Sequence, residues 1–333
     1  MVDQMEPLQV VWRDMNGRMS RARAVMSTYR VKKALSPIRR FVGKALWTGA
    51  RNVRSDYIAA IIFYLIHHKR FSLLVGQKTF SERIMLRNAR PDPRYASLSD
   101  KHEVRAFVEE KIGPDYLIPV YAVADDMTGF DFSSLPRAFV MKATHGSGWV
   151  RLVEDQSKEN IEDLRDLAKL WLSQNYYLAF REGHYKSLKP RIIFEQLLLE
   201  DGVPADDYKI HCFRKNGQLT QIVQVHSDRF RNHKVNLFSS DWTYLEMSHG
   251  FEQAPPETVK KPDQLEELLD IADRLSASIN YVRVDLYVSS GRVFFGELTF
   301  TPGAGSLRFH PKEADRQWAT LFDKDDHSVS DES

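Results

Sequence analysis

Two long alternating stretches, each folded back on a short turn, constrain this chain more than any other feature. "DDYKIHCFRKNGQLTQIVQVHS" (206–227) pivots on Asn216-Gly217, and "YVRVDLYVSSGRVFFGELTF" (281–300) on Ser290-Gly291. Asn-Gly is a strong hairpin signal because the tight turns that match strand twist need positive φ at their centre. Alternation places successive side chains on opposite faces of a sheet. Long helical patterns separate the hairpins. Ile161, Leu164, Leu167, Leu170, Trp171 and Leu172 supply one face of a helix expected over Glu159 to Phe180. Leu265, Leu268, Leu269, Ile271, Ala272 and Leu275 do so over Pro262 to Ile279. Antiparallel hairpins between long helices make an α+β chain, with no internal repeat.

The remaining elements follow the same logic. "YIAAIIFYLI" (57–66) lies in a helix expected over Asp56 to His68 and reads as core. It is about half of the roughly 20 residues that a membrane-spanning helix needs, and it follows a polar arm, unlike a signal peptide. A soluble protein is therefore expected. A helix capped by Ser99 is expected to end at Gly113. Pro119 confines the strand in "YLIPVYAV" to an edge or an end. "RAFVMKATHGSGWVRLV" reads as strand, Gly-containing loop, strand, and "RIIFEQLLL" as a strand. The one cysteine, Cys212, excludes an intramolecular disulfide and reads as a buried structural residue. Trp149 and Trp242 read as packing residues.

The formal net charge of +2 hides an asymmetry. Residues 1–54 carry twelve Lys/Arg and three Asp/Glu, whereas the body is mildly acidic and ends in "DKDDHSVSDES", expected to be disordered. Within the arm, Val31, Leu35, Ile38, Val42 and Leu46 recur at steps of three or four among basic residues. This describes an amphipathic basic helix interrupted near Pro37. It fits a helix lying on an anionic membrane, or one packed on the body with a solvated basic face. No nucleic-acid recognition motif accompanies the charge.

Two places can carry chemistry. In the last hairpin Arg283, Asp285 and Tyr287 share one face, and Phe295, Glu297 and Thr299 are expected to share one on the returning strand. Asp285 and Glu297 could then converge with Arg283. Two hard oxygen ligands on adjacent strands suit Mg²⁺, which takes one or two carboxylates and completes its shell with water and phosphate. An ordinary polar face with an Arg–Asp ion pair fits the same spacing. The second place is "VMKATHGSGWV" (140–150), where Lys142 ends an apolar strand before a Gly/Ser loop. Backbone N–H groups of such a loop can cradle phosphate, but the string is not a Walker A loop. A plain Gly-rich hairpin turn is the alternative. Arg229 and His233, in "DRFRNH", could position an anionic acceptor or form a surface ion pair. No Ser-His-Asp arrangement is present.

The order of these parts resembles the ATP-grasp superfamily: lysine strand, Gly loop, "RIIFEQLL", "DYKIHCF", "VRVDLY", "GELTFTPGAG". Within it the chain is similar to the family named after teichuronopeptide biosynthesis (TupA-like), found among bacterial capsule and surface-polysaccharide genes. "KTFSERIMLRN", "KHEVRAFVEEKIGPDYLIPVY", "NYYLAFREGHYKSLKPRIIFEQ" and "SDRFRNHKVNLF" also match, so the resemblance covers roughly residues 76 to 322. It implies two α/β lobes with the nucleotide held between them. The corresponding division is an arm at 1–54, a helical region at 55–135, a small lobe at 136–198, a large lobe at 199–322 and a tail at 323–333.

The resemblance also implies roles. Lys142 contacts the ATP phosphates. His145, Gly146, Ser147 and Gly148 form a mobile loop over them. Glu195, Gln196, Leu197 and Leu198 present backbone to adenine. Asp207 meets ribose or the hinge, and Lys209 meets phosphate or substrate. Arg283 steadies the transferred phosphoryl group, while Asp285 and Glu297 bind Mg²⁺. Thr299 stands where the superfamily usually carries a metal-binding asparagine; its hydroxyl can still ligate a cation or hold a water. Gly303 follows Pro302 on the acceptor side, with Arg229 and His233.

The implied activity is ATP-dependent ligation of a carboxylate, such as a uronic acid on a glycan, to an amine, such as an amino acid, through an acyl phosphate. The implied place is the cytoplasmic side of the inner membrane, reached through the basic arm. Alternatives are a phosphotransferase acting on a sugar hydroxyl, a glycosyltransferase of the same pathway, and a binding protein that keeps the fold without catalysis.

Overall fold

The computed structural model describes residues 46–200, 203–227 and 233–325. Most of the arm, including the amphipathic segment up to residue 45, and residues 326–333 of the tail lie outside them. Asp323 and Asp325 are anchored: the Asp323 carboxylate accepts the Asn216 N–H at 2.8 Å, and Asp325 pairs with the buried Arg87 at 2.6 Å.

Residues 46–52 are helical, and α1 (Asp56–His68) follows, with Ser55 accepting the Ile58 N–H. α2 (Phe80–Ala89) opens on a capping box in which Thr79 and Glu82 satisfy each other's backbone N–H groups. Ala59, Ala60, Phe63 and Tyr64 of α1 pack with Met85 and Leu86 of α2. The expected apolar run is therefore core. α3 (Arg94–Ser99) and α4 (Val104–Ile112) come next. Ser99 ends α3 and does not cap α4. No side chain caps α4; the Asp100 carboxylate instead holds the turn before it, accepting N–H groups of His102 and Glu103 at 2.8 and 2.9 Å.

The first sheet contains β1 (Val120–Ala124), β2 (Phe139–Ala143), β3 (Val150–Val153) and β4 (Ile192–Glu195), in the antiparallel order β1-β4-β2-β3. β1 lies at an edge, where the preceding Pro119 costs no ladder bond. The sheet packs on α5 (Ile161–Leu172) through Phe139, Met141, Phe194, Leu164, Ala168 and Trp171. The helix expected to reach Phe180 stops at Leu172. The Asn175 side chain accepts the Tyr177 N–H at 3.1 Å and starts a separate short turn, α6 (Tyr177–Phe180).

A small hairpin, β5 (Leu199–Glu200) and β6 (Val203–Pro204), leads to the second sheet. Its strands are β7 (Asp206–Lys215), β8 (Gln218–Ser227), β9 (Lys234–Ser239), β10 (Tyr281–Ser289) and β11 (Arg292–Thr299), in the antiparallel order β11-β10-β7-β8-β9. Asn216 and Gly217 have φ of 51° and 80°, and Ser290 and Gly291 have 51° and 72°, as the sequence requires of both turns. One face is mainly apolar, with the Gln221 side chain donating to the Leu269 carbonyl at 2.8 Å. Ile210, Cys212, Val223, Val282, Val284 and Leu298 on this face are covered by α4 and by α7 (Leu265–Ser276). Cys212 is fully buried, as expected.

The other face is divided. At one end Phe213, Ile222, Leu237 and Tyr281 pack with Phe80 of α2 and Trp318 of α8 (Glu313–Thr320). At the other end the same strands carry Asp207, Lys209 and Asp285.

One expectation about β11 is overturned. A bulge interrupts the ladder after Asp285, so that Asp285 lies opposite Glu297 while Leu286 lies opposite Phe295. Alternation slips by one at Gly296. Phe295 turns into the apolar core with Leu298, and Phe294 moves to the face of Tyr287. Gly296 permits the bulge, because a Cβ there would stand 2.9 Å from the Asp285 carbonyl oxygen.

Candidate active site

The divided face gathers its charges around Asp285. β10 and β7 set Asp285 opposite Lys209, and β10 and β11 set it opposite Glu297. Cross-strand neighbours share a face, so the three side chains meet. Lys209 Nζ donates to Asp285 Oδ2 at 2.5 Å and to Asp207 Oδ1 at 3.0 Å. Arg283 grips both Asp285 oxygens from Nε and Nη2, at 2.6 and 2.7 Å. Its Nη2 also reaches Thr299 Oγ1 at 3.0 Å and lies 3.6 Å from Glu297 Oε1. Thr299 donates to Glu297 Oε1 at 3.2 Å.

Asp285 is 2% exposed. Burial alone would raise its pKa, but the Arg283 and Lys209 charges outweigh it and hold the carboxyl down at about 2. Glu297 is the open member of the cluster, with about a third of its side chain exposed. The structure therefore joins Lys209, Asp207, Arg283, Asp285, Glu297 and Thr299 in one contiguous group.

A second group lies at the end of the first sheet. Lys142 on β2 donates to Glu195 Oε2 on β4 at 2.6 Å, and Arg105 of α4 lies 3.6 Å from Glu195 Oε1. The Glu195 side chain thus turns inward to the lysine. Gln196 carries the chain out of β4, its N–H bonded to the Pro119 carbonyl at 2.9 Å, and Leu197 and Leu198 continue toward the second sheet.

Lys101 links the two groups. Its Nζ donates to the Gly146 carbonyl at 2.6 Å and lies 4.0 Å from Glu297 Oε2. Burial lowers its pKa first; the Glu297 and Glu195 carboxylates act against that, and the Lys142 charge adds to it. The Gly loop, Lys142, Glu195 and Glu297 therefore form one electrostatic neighbourhood.

In the loop between β2 and β3, Gly148 has φ of +76°. Gly146 faces Trp149 so closely that a Cβ would stand 2.7 Å from the indole. His145 is 2% exposed, with Nε2 3.1 Å from the Trp171 carbonyl oxygen, so its ring is turned into the first lobe. Trp149 packs edge-on against Tyr176, and Trp242 stacks on Phe238 at 4.4 Å.

The remaining expected residues stand farther along. His233 Nε2 lies 2.8 Å from His226 Nδ1. Gly303, with φ of +58°, shapes the turn that presses Gly305 against Met85. Arg229 lies outside the described residues.

Three site residues escaped the sequence reading. Lys101 and Arg105 belong to a helix and its approach, which gave no motif of their own. The third is Glu182, in "FREGHY". It is 6% exposed, and Thr301 Oγ1 donates to its Oε1 at 2.6 Å. Burial, offset by that bond and reinforced by the charge of Glu297, raises its pKa to about 7. The only available signal was their presence in strings that matched the family.

The model of the family described as TupA-like ATPgrasp matches residues 82–323. Among solved structures, the chain is similar to D-alanine-D-alanine ligase from Helicobacter pylori (13% identity, 68% of this chain and 61% of that one, TM-score 0.43). It is also similar to D-alanine–D-alanine ligase from Bacillus anthracis (16% identity, 66% and 62%, TM-score 0.40). A third similar structure is the ATP-grasp ligase PsnB complexed with minimal precursor (14% identity, 63% and 54%, TM-score 0.37). The chain thus spans less than two thirds of the length of each. No curated protein matches it.

Proposed function

The chain belongs to the TupA-like ATP-grasp family, and on that premise we propose that it is an ATP-dependent carboxylate–amine ligase. The observation that carries this reading is the convergence of cations, each held on a carboxylate, in the joined cluster. Among the described residues Lys101, Arg105, Lys142, Lys209 and Arg283 lie within 4 Å of Glu195, Asp207, Asp285 or Glu297. Five cations thus converge at a junction where a triphosphate would bring several negative charges.

Mg²⁺ fits the donor set. Asp285, Glu297 and Thr299 offer hard oxygens on adjacent strands, two carboxylates and a hydroxyl, which is what this ion commonly takes from protein. Among the described residues no three His, Cys, Asp or Glu side chains gather to hold a metal unaided. Phosphate and water would have to complete the shell. When bound, the ion supplies charge neutralisation at the transferred phosphoryl group.

The chain's own residues do the rest. Lys142 and Lys209 hold nucleotide phosphates, exchanging Glu195 and Asp207 for them. Arg283 steadies the phosphoryl group as a carboxylate oxygen of the substrate attacks phosphorus and ADP departs. The Gly146–Gly148 loop excludes water from the acyl phosphate, with His145 fixing its base against Trp171. The amine then attacks the acyl carbon, phosphate leaves, and the nitrogen loses a proton. Backbone of Glu195 to Leu198 meets adenine and Asp207 the ribose. His233, Gly303 and Arg229 belong to the acceptor side.

For substrates we favour a uronic acid carboxyl of a bacterial surface polysaccharide and an amino acid amine. The enzyme would then work at the cytoplasmic face of the membrane, held there by the basic arm.

The test is ADP release from Mg²⁺-ATP across a panel of uronic acids and amino acids, with hydroxylamine as a trap. A ligase yields ADP only with a carboxylate and gives a hydroxamate. ADP with a sugar hydroxyl and no hydroxamate would replace this reading with a phosphotransferase.

A further inference from the structure

We propose that the loop Lys69–Lys78, "KRFSLLVGQK", inserts into the interfacial layer of an anionic lipid bilayer. The loop is built, not slack. Leu74 is fully buried in the α1–α2 core. Ser72 Oγ accepts the Leu74 N–H at 3.0 Å and donates to Glu82 Oε1 at 2.7 Å, while Glu82 Oε2 accepts the Lys78 N–H at 2.7 Å. The Tyr57 hydroxyl donates to the Leu73 carbonyl. Lys69, Leu74 and Gln77 all have positive φ, which side-chain-bearing residues seldom adopt unless their surroundings impose it.

This framework turns three apolar side chains into water. Phe71 is 68% exposed, Leu73 55% and Val75 73%. Single exposed apolar residues are ordinary, but three within five positions on a fixed tip form a patch that calls for a partner.

Charge selects the partner. Lys69, Arg70 and Lys78 are exposed at the ends of the loop, and the segment contains no carboxylate. Across residues 46–78 five Lys/Arg accompany one acid, Asp56, which is itself paired with Arg181 at 2.6 Å. Residues 1–45 add ten Lys/Arg against three Asp/Glu. Apolar tips flanked by cations match a surface where anionic headgroups overlie acyl chains. The loop would supply the depth of insertion and the arm long-range attraction. None of its residues belongs to the charge cluster, so the inference is independent of the ligase reading.

The full chain carries one cysteine, Cys212, and it is fully buried. Phe71→Cys therefore accepts an environment-sensitive fluorophore selectively. With phosphatidylcholine vesicles containing a third phosphatidylglycerol, the label is expected to shift to the blue and to be quenched by acyl-chain spin labels. Phosphatidylcholine alone should produce neither effect. Replacing Phe71, Leu73 and Val75 together by Ser should weaken partitioning on the order of tenfold or more while circular dichroism stays unchanged.

An unshifted label on protein that co-sediments with vesicles would overturn the proposal, since the arm alone would then dock. So would a failure to bind vesicles. A label already shielded without lipid would assign the patch elsewhere: to residues 1–45 if their deletion exposes it, or to a second copy if shielding grows with protein concentration.

Discussion

One face of the five-stranded sheet carries two unlike halves on the same strands. β7 runs from Asp207 and Lys209 to Phe213, and β10 from Asp285 and Arg283 back to Tyr281. In the apolar half Phe213 and Tyr281 meet Phe80 and Trp318 in edge-on and tilted ring contacts. In the polar half each charge is held by another charge. His211 marks the border, with Nδ1 2.9 Å from the Tyr281 hydroxyl and Nε2 2.8 Å from Gln224 Oε1.

The difference lies in what each half can release. Ring contacts in a packed core have no alternative partner, so they serve stability alone. Buried ion pairs repay their desolvation poorly, and removing one partner commonly costs about 3–5 kcal/mol. A group of ion pairs, by contrast, can exchange a carboxylate partner for an anionic ligand.

The sharpest break in this comparison is Asp285→Asn. It leaves Lys209 and Arg283 without their shared carboxylate. ATP turnover is expected to fall by roughly a thousandfold or more, with stability lower by about 3 kcal/mol. Turnover close to the unmodified level in a folded variant would show that the polar half is only structural. Trp318→Ala tests the other half. Removing a fully buried indole should cost about 3–5 kcal/mol in denaturant unfolding while turnover per folded molecule stays the same. A large loss of turnover with little loss of stability would erase the division.

Glu182 sharpens the comparison through pH. Its pKa is raised from 4.5 to about 7. Between those values the unfolded chain gives up the proton and the folded chain keeps it, so stability falls as pH rises and levels off above about 7. The total is about 3 kcal/mol at 1.36 kcal/mol per unit. Denaturation midpoints measured from about pH 5 to 8 should show this decline, and Glu182→Gln should flatten it. An unchanged pH profile in the Gln variant would remove the assignment. The smallest effect is expected from Thr299→Asn. The amide offers an oxygen in place of the hydroxyl, and turnover should stay within about tenfold, or 1.4 kcal/mol. A collapse of turnover would mean that the Arg283–Thr299–Glu297 hydrogen bonds depend on the hydroxyl itself.

The local grammar of the chain was legible without coordinates. Two positive-φ turns fixed both hairpins, helical periodicity found α1, α5 and α7, and Pro119 kept β1 at an edge. Alternation placed Arg283 and Asp285 together, and the resemblance rested on strings whose order could be read directly. Boundaries were less legible where side chains bond nearby backbone: Asp100, not Ser99, holds the turn before α4, and Asn175 starts a separate turn after α5 has ended at Leu172.

The sequence by itself determined which residues alternate, where the chain turns and which family it joins, because those depend on neighbours within a few positions. Only the tertiary structure decided which strands meet and in what register. The bulge at Gly296 sent Phe295 to the core, a one-residue slip that simple alternation cannot show. Burial made Glu182 a weak acid and put Lys101 between the Gly loop and Glu297. Such electrostatics depend on distance through space, and residues far apart along the chain acquire it only when the lobes pack together.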